Sequence, residues 1–190
     1  MVSTSNLAHL LLCAGTVAEW ANTDAAQWRE RLHLVARATH TGGGAWATIV
    51  PYSGVASDGA DRVQTMLVEQ CAGLRYGKRV VVHSDDGVTL VVDPLADGRR
   101  RIADVVARLG NGAISEQRMS SELAAPAPGE PDLIVVLGKP TRLPVSLVWE
   151  LAYAELVFLD APWGALDSEH LEMAIDDFRR RDRRFGGVDS

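Results

Sequence analysis

The feature that most constrains this 190-residue chain is the alternation of short, branched apolar runs with longer amphipathic stretches. Residues 9–13, 45–50, 79–83, 88–92 and 133–137 are rich in Leu, Val and Ile, too short for buried helices and apolar on successive positions. A strand apolar on both faces must be covered on both faces, which points to a parallel sheet flanked by helices. The pattern predicts an α/β fold: a single domain, residues 1–190, with a mostly parallel central sheet. Helices are predicted over roughly residues 24–40, 60–74, 98–109, 115–123, 144–155 and 168–182. With 47% hydrophobic residues the chain can fill one core. The Ala- and Pro-rich segment AAPAPGEPD reads as a loop before the strand at 133–137, so it does not divide the chain.

Composition excludes several functional classes. Cys13 and Cys71 have neither disulfide-framework nor zinc spacing. His33, His40, His83 and His170 form no metal-ligand pattern. A net charge of −6, with Lys78 and Lys139 the only lysines, disfavours nucleic acid as a partner. The amino-terminal stretch MVSTSNLAHLLLC lacks a basic leader and is too short to span a membrane, so a soluble, cytoplasmic protein is expected.

Local arginine clusters are where anions could bind. In the final helix, Asp167 is placed to cap the start, and Leu171, Ala174, Ile175 and Phe178 form a core-facing stripe. Arg179, Arg180, Arg181, Arg183 and Arg184 crowd its end, where cations complement the macrodipole. Read on residues alone, that is a solvated helix end. The following Gly186 and Gly187 leave backbone N–H groups free to approach a phosphate, which is the sharper alternative. Arg99, Arg100 and Arg101 read as a solvated helix start, where cations oppose the dipole.

The closing stretch PDLIVVLGKPTRLPVSLVWELAYAELVFLDAPWGALDSEHLEMAIDDFRRRDRRFGG resembles the carboxyl third of undecaprenyl diphosphate synthases, the cis-prenyltransferase family. Trp149, Ala152, Tyr153, Glu155, Leu156, Phe158, Trp163 and residues 183–187 keep the family's order and spacing. NLAHLLLCAGTVAEWA resembles the first family motif. TLVVDPLADGRRRIADVV resembles the TLNIAxxYGGRxDI segment, and is nearer still to its form in the Nogo-B receptor, a non-catalytic subunit of such enzymes. Residues 53–87 are abbreviated relative to typical members. The resemblance implies a shortened cis-prenyltransferase-like fold, isopentenyl diphosphate and an allylic prenyl diphosphate as ligands, and Mg²⁺ as cofactor.

The departures from the family pattern are selective. Gly15 stands where the resemblance places the metal-binding aspartate, and Glu19 where it places an arginine, so Glu19 is expected to repel a diphosphate. Val136 replaces the arginine of the family's RTGG, Leu137, Gly138 and Lys139 follow it, Thr141 replaces a histidine, and Arg142 alone keeps its place. Removing metal or arginine from a centre that stabilises a departing polyanion costs on the order of a hundred- to a thousandfold or more. What persists is the tail at 183–190, whose Arg184, Phe185 and Gly186 match the element that, in the family, crosses the dimer interface to the partner's isopentenyl diphosphate. Glu155 matches a family glutamate near the metal. Read as part of the helix at 144–155, it continues a buried stripe of Val148, Leu151 and Ala152, either beside a metal or paired with an arginine at the dimer interface.

The resemblance and its departures together imply a non-catalytic subunit of a heteromeric cis-prenyltransferase. Its catalytic partner would hold most of the Mg²⁺, and this chain would contribute Arg184, Gly186 and Gly187, with Arg142, to isopentenyl diphosphate binding. Peripheral membrane association through the product is part of that expectation. The alternatives are a self-sufficient divergent synthase, with Arg99 to Arg101 and Arg142 rebuilding the diphosphate contacts, and a non-enzymatic isoprenoid-binding homodimer.

Overall fold

The computed structural model describes residues 7–54, 58–110, 112, 114–139 and 143–181. Their strands are β1 (His9–Cys13), β2 (Trp46–Val50), β3 (Leu74–Tyr76), β4 (Arg79–His83), β5 (Thr89–Val92), β6 (Leu133–Leu137) and β7 (Glu155–Leu159). They form one sheet in the order β3-β4-β5-β2-β1-β6-β7. From β5 to β7 every neighbouring pair is parallel, and β3 and β4 extend the sheet antiparallel beside β5. The expected mostly parallel α/β sheet is what the chain forms.

Helices α1 (Val17–Ala21), α2 (Ala25–Thr41), α3 (Asp58–Gln70), α4 (Gly98–Leu109), α5 (Glu116–Ala124) and α6 (Ser168–Arg180) surround the sheet. Every residue of β1 and β6 is buried, which explains why their sequences are apolar without alternation. Leu10, Leu12 and Ile49 pack with Val63, Leu67 and Phe178 from α3 and α6 on one face. Leu11, Cys13, Val50, Ile134 and Val136 face the other way, against Leu147. Pairing of α4 with α5 buries Val105, Met119 and Leu123 in a smaller cluster. Asp167 caps α6, its carboxylate accepting from the His170 N–H at 3.0 Å, as the sequence indicates.

Two helix expectations need correction. The helix expected over 60–74 stops at Gln70, and Leu74 opens β3. Both Cys71 and Gly73 donate their N–H to the Leu67 carbonyl, closing the helix, and a Cβ on Gly73 would collide with Val80 and Leu67. The helix expected over 144–155 does not exist. That segment is turns and one 3₁₀ turn, Glu150–Ala152, and Glu155 begins β7. The Glu155 N–H donates to the Asp132 carbonyl at 2.9 Å, so ladder pairing with β6 settles the conformation. Val148, taken for part of a buried stripe, is 43% exposed.

Candidate functional site

At the carboxyl edge of β1 the chain turns through Gly15, with φ +66°, into the short helix α1. Thr16 caps that helix reciprocally with Glu19. The Glu19 Oε2 accepts from the Thr16 N–H at 2.7 Å and from its hydroxyl at 2.9 Å, while Thr16 Oγ1 accepts from the Glu19 N–H at 3.2 Å. Glu19 is therefore more than a repelling charge. Its carboxylate already occupies one backbone N–H of this turn, that of Thr16.

The space beside Gly15 is filled as well. A Cβ there would stand 3.1 Å from the Trp163 Cβ and 3.2 Å from Glu19 Oε2. Trp163 packs with Trp20 and Trp28, ring centroids 5.3–5.9 Å apart, and carries the buried Arg31 guanidinium 4.9 Å from its own centroid. Arg31 donates to the carbonyls of Trp163, Gly164 and Gln27, so its charge locks this wall. Across the turn, Tyr52 donates its N–H to the Gly15 carbonyl at 2.9 Å. Its hydroxyl lies 2.7 Å from where a Cβ on Gly138 would be, at a residue with φ +116°. Cys13, at the end of β1, has its thiol pushed up to about 12 by burial, so it is no nucleophile near neutral pH.

The described residues at this turn do not fit Mg²⁺. Gly15 offers no ligand, Glu19 is engaged in capping, and among the described residues no group of three or more His, Cys, Asp or Glu side chains could hold a metal. Glu155 starts β7 at the amino edge of the sheet, opposite the edge at which Gly15 follows β1. Its side chain is 29% exposed and pairs with Arg181 of its own chain at 3.6 Å. The helix-face reading of Glu155 is thus corrected to a strand-start carboxylate with an intrachain partner. Arg142, Arg184, Phe185, Gly186 and Gly187 lie outside the described residues, as do Thr141 and Arg183.

Sequence reasoning missed a polar layer beneath α4 and α5. Arg101 is not a solvated helix-start cation: only 16% of its side chain is exposed, and its Nη1 meets the buried Glu150 Oε1 at 2.6 Å. Arg79 pairs with Asp93 at 3.0 Å in the same layer. Glu130 accepts from Ser120 and from the Trp149 indole. The invariably short-range signals of sequence could not join Arg101 to Glu150, which are 49 residues apart. Arg99 and Arg100 are exposed as expected.

His9, at the start of β1, is structural. Its Nδ1–H donates to the Gly129 carbonyl at 2.9 Å, leaving Nε2 to accept from the Thr48 hydroxyl at 2.8 Å. Burial lowers its pKa from the ordinary 6.5, opposed by the Gly129 carbonyl and by the charges of Asp132 and Glu150. A depressed folded-state value means the unfolded chain takes up the proton first. The stability His9 contributes is complete above about pH 6.5 and is lost as pH falls through its folded value. Urea midpoints of the wild type and His9→Gln should converge as pH is lowered from 7 to 5. A pH-independent gap would contradict this assignment.

Restoring an acid at Gly15 should fail as a repair. Gly15→Asp forces a side chain against Trp163 and Glu19 at a positive φ, an expected cost of about 1–3 kcal/mol. Urea denaturation should show that loss, with no Mg²⁺-dependent turnover gained. Turnover by the single variant would mean the wall yields.

Comparison with known proteins agrees with this architecture. A family model described as "Putative undecaprenyl diphosphate synthase" matches residues 77–186. The ditrans,polycis-undecaprenyl-diphosphate synthase ((2E,6E)-farnesyl-diphosphate specific) of Lactiplantibacillus plantarum is 33% identical over 115 residues, covering 60% of this chain and 41% of that protein. An isoprenyl transferase of Streptococcus mutans is 36% identical over 115 residues, 60% of this chain and 43% of its own. Isoprenyl transferase 2 of Bradyrhizobium diazoefficiens is 36% identical over 127 residues, 62% of this chain and 50% of its own. The chain thus spans half or less of the length of these relatives.

Solved structures share the fold, two of which illustrate it. A probable undecaprenyl diphosphate synthase from Campylobacter jejuni superposes with a TM-score of 0.66 at 16% identity, over 96% of this chain and 100% of that one. Lavandulyl diphosphate synthase from Lavandula x intermedia, solved with dimethylallyl diphosphate, gives 0.66 at 14%, over 96% and 99%. Since the family match runs through more than half of the residues and ends inside the RRFGG tail, the chain belongs to the undecaprenyl diphosphate synthase family of cis-prenyltransferases.

Proposed function

We propose that this chain is the non-catalytic subunit of a heteromeric cis-prenyltransferase. The carrying observation is the closed turn after β1: Glu19 takes the Thr16 N–H, and Trp163 and Glu19 fill the space over Gly15. A chain whose own turn offers no acidic ligand at Gly15 and has the Thr16 N–H already engaged can still serve a partner. In this reading a catalytic cis-prenyltransferase supplies the aspartate and Mg²⁺ and binds the allylic diphosphate. The tail at 183–190 brings Arg184, Gly186 and Gly187, with Arg142, to isopentenyl diphosphate. Arginine suits that role because its planar fork grips phosphate oxygens in pairs.

Among the described residues no helix is long and apolar enough to cross a membrane. We place the complex in the cytoplasm, meeting the bilayer through its lipid product. The names of the relatives, all synthases or transferases, favour the second reading, a divergent enzyme that acts unaided. That reading requires diphosphate contacts built away from Gly15.

The test is co-expression with a cis-prenyltransferase from the same genome that carries the complete first motif. The subunit reading expects a co-purifying complex that incorporates radiolabelled isopentenyl diphosphate faster than either chain alone. Failure to form a complex, or a complex no faster than the catalytic chain, would overturn it.

A further inference from the structure

Two strands from β1, at the carboxyl end of β5, the antiparallel strand β4 begins with Arg79. Between this corner and the α4–α5 pair lies an open cavity of about 730 Å³, within the range of pockets that accept a whole small molecule. We propose that this cavity binds a phosphate-bearing organic anion, at a site separate from the closed turn at Gly15.

Charge is the first argument. The charged lining is Lys78, Arg79, Arg100, Arg101 and Arg108 against Asp93, Asp104 and Glu122. With Glu150, which holds Arg101 from behind, five cations face four acids, so one positive charge, that of Arg100, is left over in a chain of net charge −6. The ion pairs are graded by depth. Arg79 is held by Asp93, and Arg101 by Glu150 from behind, so both guanidinium groups form a fixed floor. At the rim, Lys78 pairs with Asp104 at 3.6 Å and Arg108 with Glu122 at 3.3 Å, all four side chains about half exposed. Exposed pairs of that kind hold their partners weakly, so an incoming polyanion can recruit either cation.

Arg100 is the second argument. It is exposed in the first turn of α4, lines the cavity and makes no ion pair among the described residues. A cation there faces the positive end of the helix dipole, so the folded chain by itself gains nothing from it. An anion in the cavity reverses that sign. Separated cations on two walls suit a diphosphate better than a single carboxylate, and Tyr76, Leu95, Val105 and Leu123 offer apolar lining for the remainder of the molecule. The inference does not depend on the subunit reading.

The experiment titrates the purified full chain, without any partner, by calorimetry at low and physiological salt, using inorganic pyrophosphate and geranyl diphosphate as probes. Saturable binding that weakens with salt and falls at least about tenfold in both Arg100→Glu and Lys78→Glu is expected. Both positions are exposed, so circular dichroism should show the fold unchanged. Geranyl diphosphate should bind more tightly than pyrophosphate; equal affinity would overturn the organic part of the assignment. No saturation with either probe, or a loss confined to Arg142→Glu or Arg184→Glu, would overturn the site itself. Because the readout is binding to the isolated chain, neither result bears on complex formation, while saturable binding of geranyl diphosphate would supply the diphosphate contacts away from Gly15 that unaided turnover requires.

Discussion

Glu150→Ala is expected to destabilise the chain by about 3–5 kcal/mol, the cost of leaving one member of a buried ion pair alone. Glu150 is 5% exposed, and its carboxylate is the anionic partner of Arg101 at 2.6 Å. Arg101 is also tied to the Leu123 carbonyl at 2.8 Å, so it cannot simply swing into solvent. Arg79 lies close enough for the two guanidinium charges to repel, and Glu150 offsets that repulsion for both. Without the carboxylate, Asp93 faces two buried cations. The urea midpoint at pH 7 should fall with little change in slope. Replacing both partners by apolar residues, Arg101→Met with Glu150→Leu, should recover most of the loss, because the pair's desolvation is then removed together with its attraction. A loss below about 1 kcal/mol in the single variant would mean the pair is solvated, like an exposed one.

The second large effect concerns the tail. In the co-expressed complex, Arg184→Ala in this chain is expected to lower turnover about a hundred- to a thousandfold, the typical consequence of removing one preorganised donor from developing or bound negative charge. A role in binding isopentenyl diphosphate would raise its KM, whereas one confined to the reacting state would lower kcat alone. Arg184→Lys should rescue poorly, because an ammonium lacks the paired fork. Unchanged kinetics in Arg184→Ala would remove the tail from the partner's site while leaving the complex itself intact. The isolated chain's melting temperature should not move, which separates this effect from a structural one.

The strands legible in the sequence were those buried on both faces. At β1 and β6 apolarity is continuous, and the limits of β1, β4 and β6 matched to the residue. Strand β3, Leu74–Tyr76, has all three residues exposed, so it carries no burial pattern, and only its pairing with β4 across Gly77 and Lys78 defines it. Strand β7 was hidden for a different reason. A 3₁₀ turn running into a strand places apolar residues at spacings that also fit a helix, and the ladder with β6 decides between them.

At the candidate site, the identities of Gly15 and Glu19 were readable, but their packing was not. The Thr16-x-x-Glu19 spacing is the capping-box signature and could have revealed the second job of Glu19. Trp163 reaches Gly15 from nearly the other end of the chain, a contact that no local pattern encodes.

The subunit reading rests on the turn after β1, where Gly15 offers no carboxylate, Glu19 holds the Thr16 N–H and Trp163 packs against the glycine. Its most direct test is incorporation of radiolabelled isopentenyl diphosphate by the purified chain alone, with Mg²⁺ and allylic diphosphates of several lengths. The expected rate is at least about a thousandfold below that of the complex with its catalytic partner. Comparable turnover by the chain alone would contradict the account.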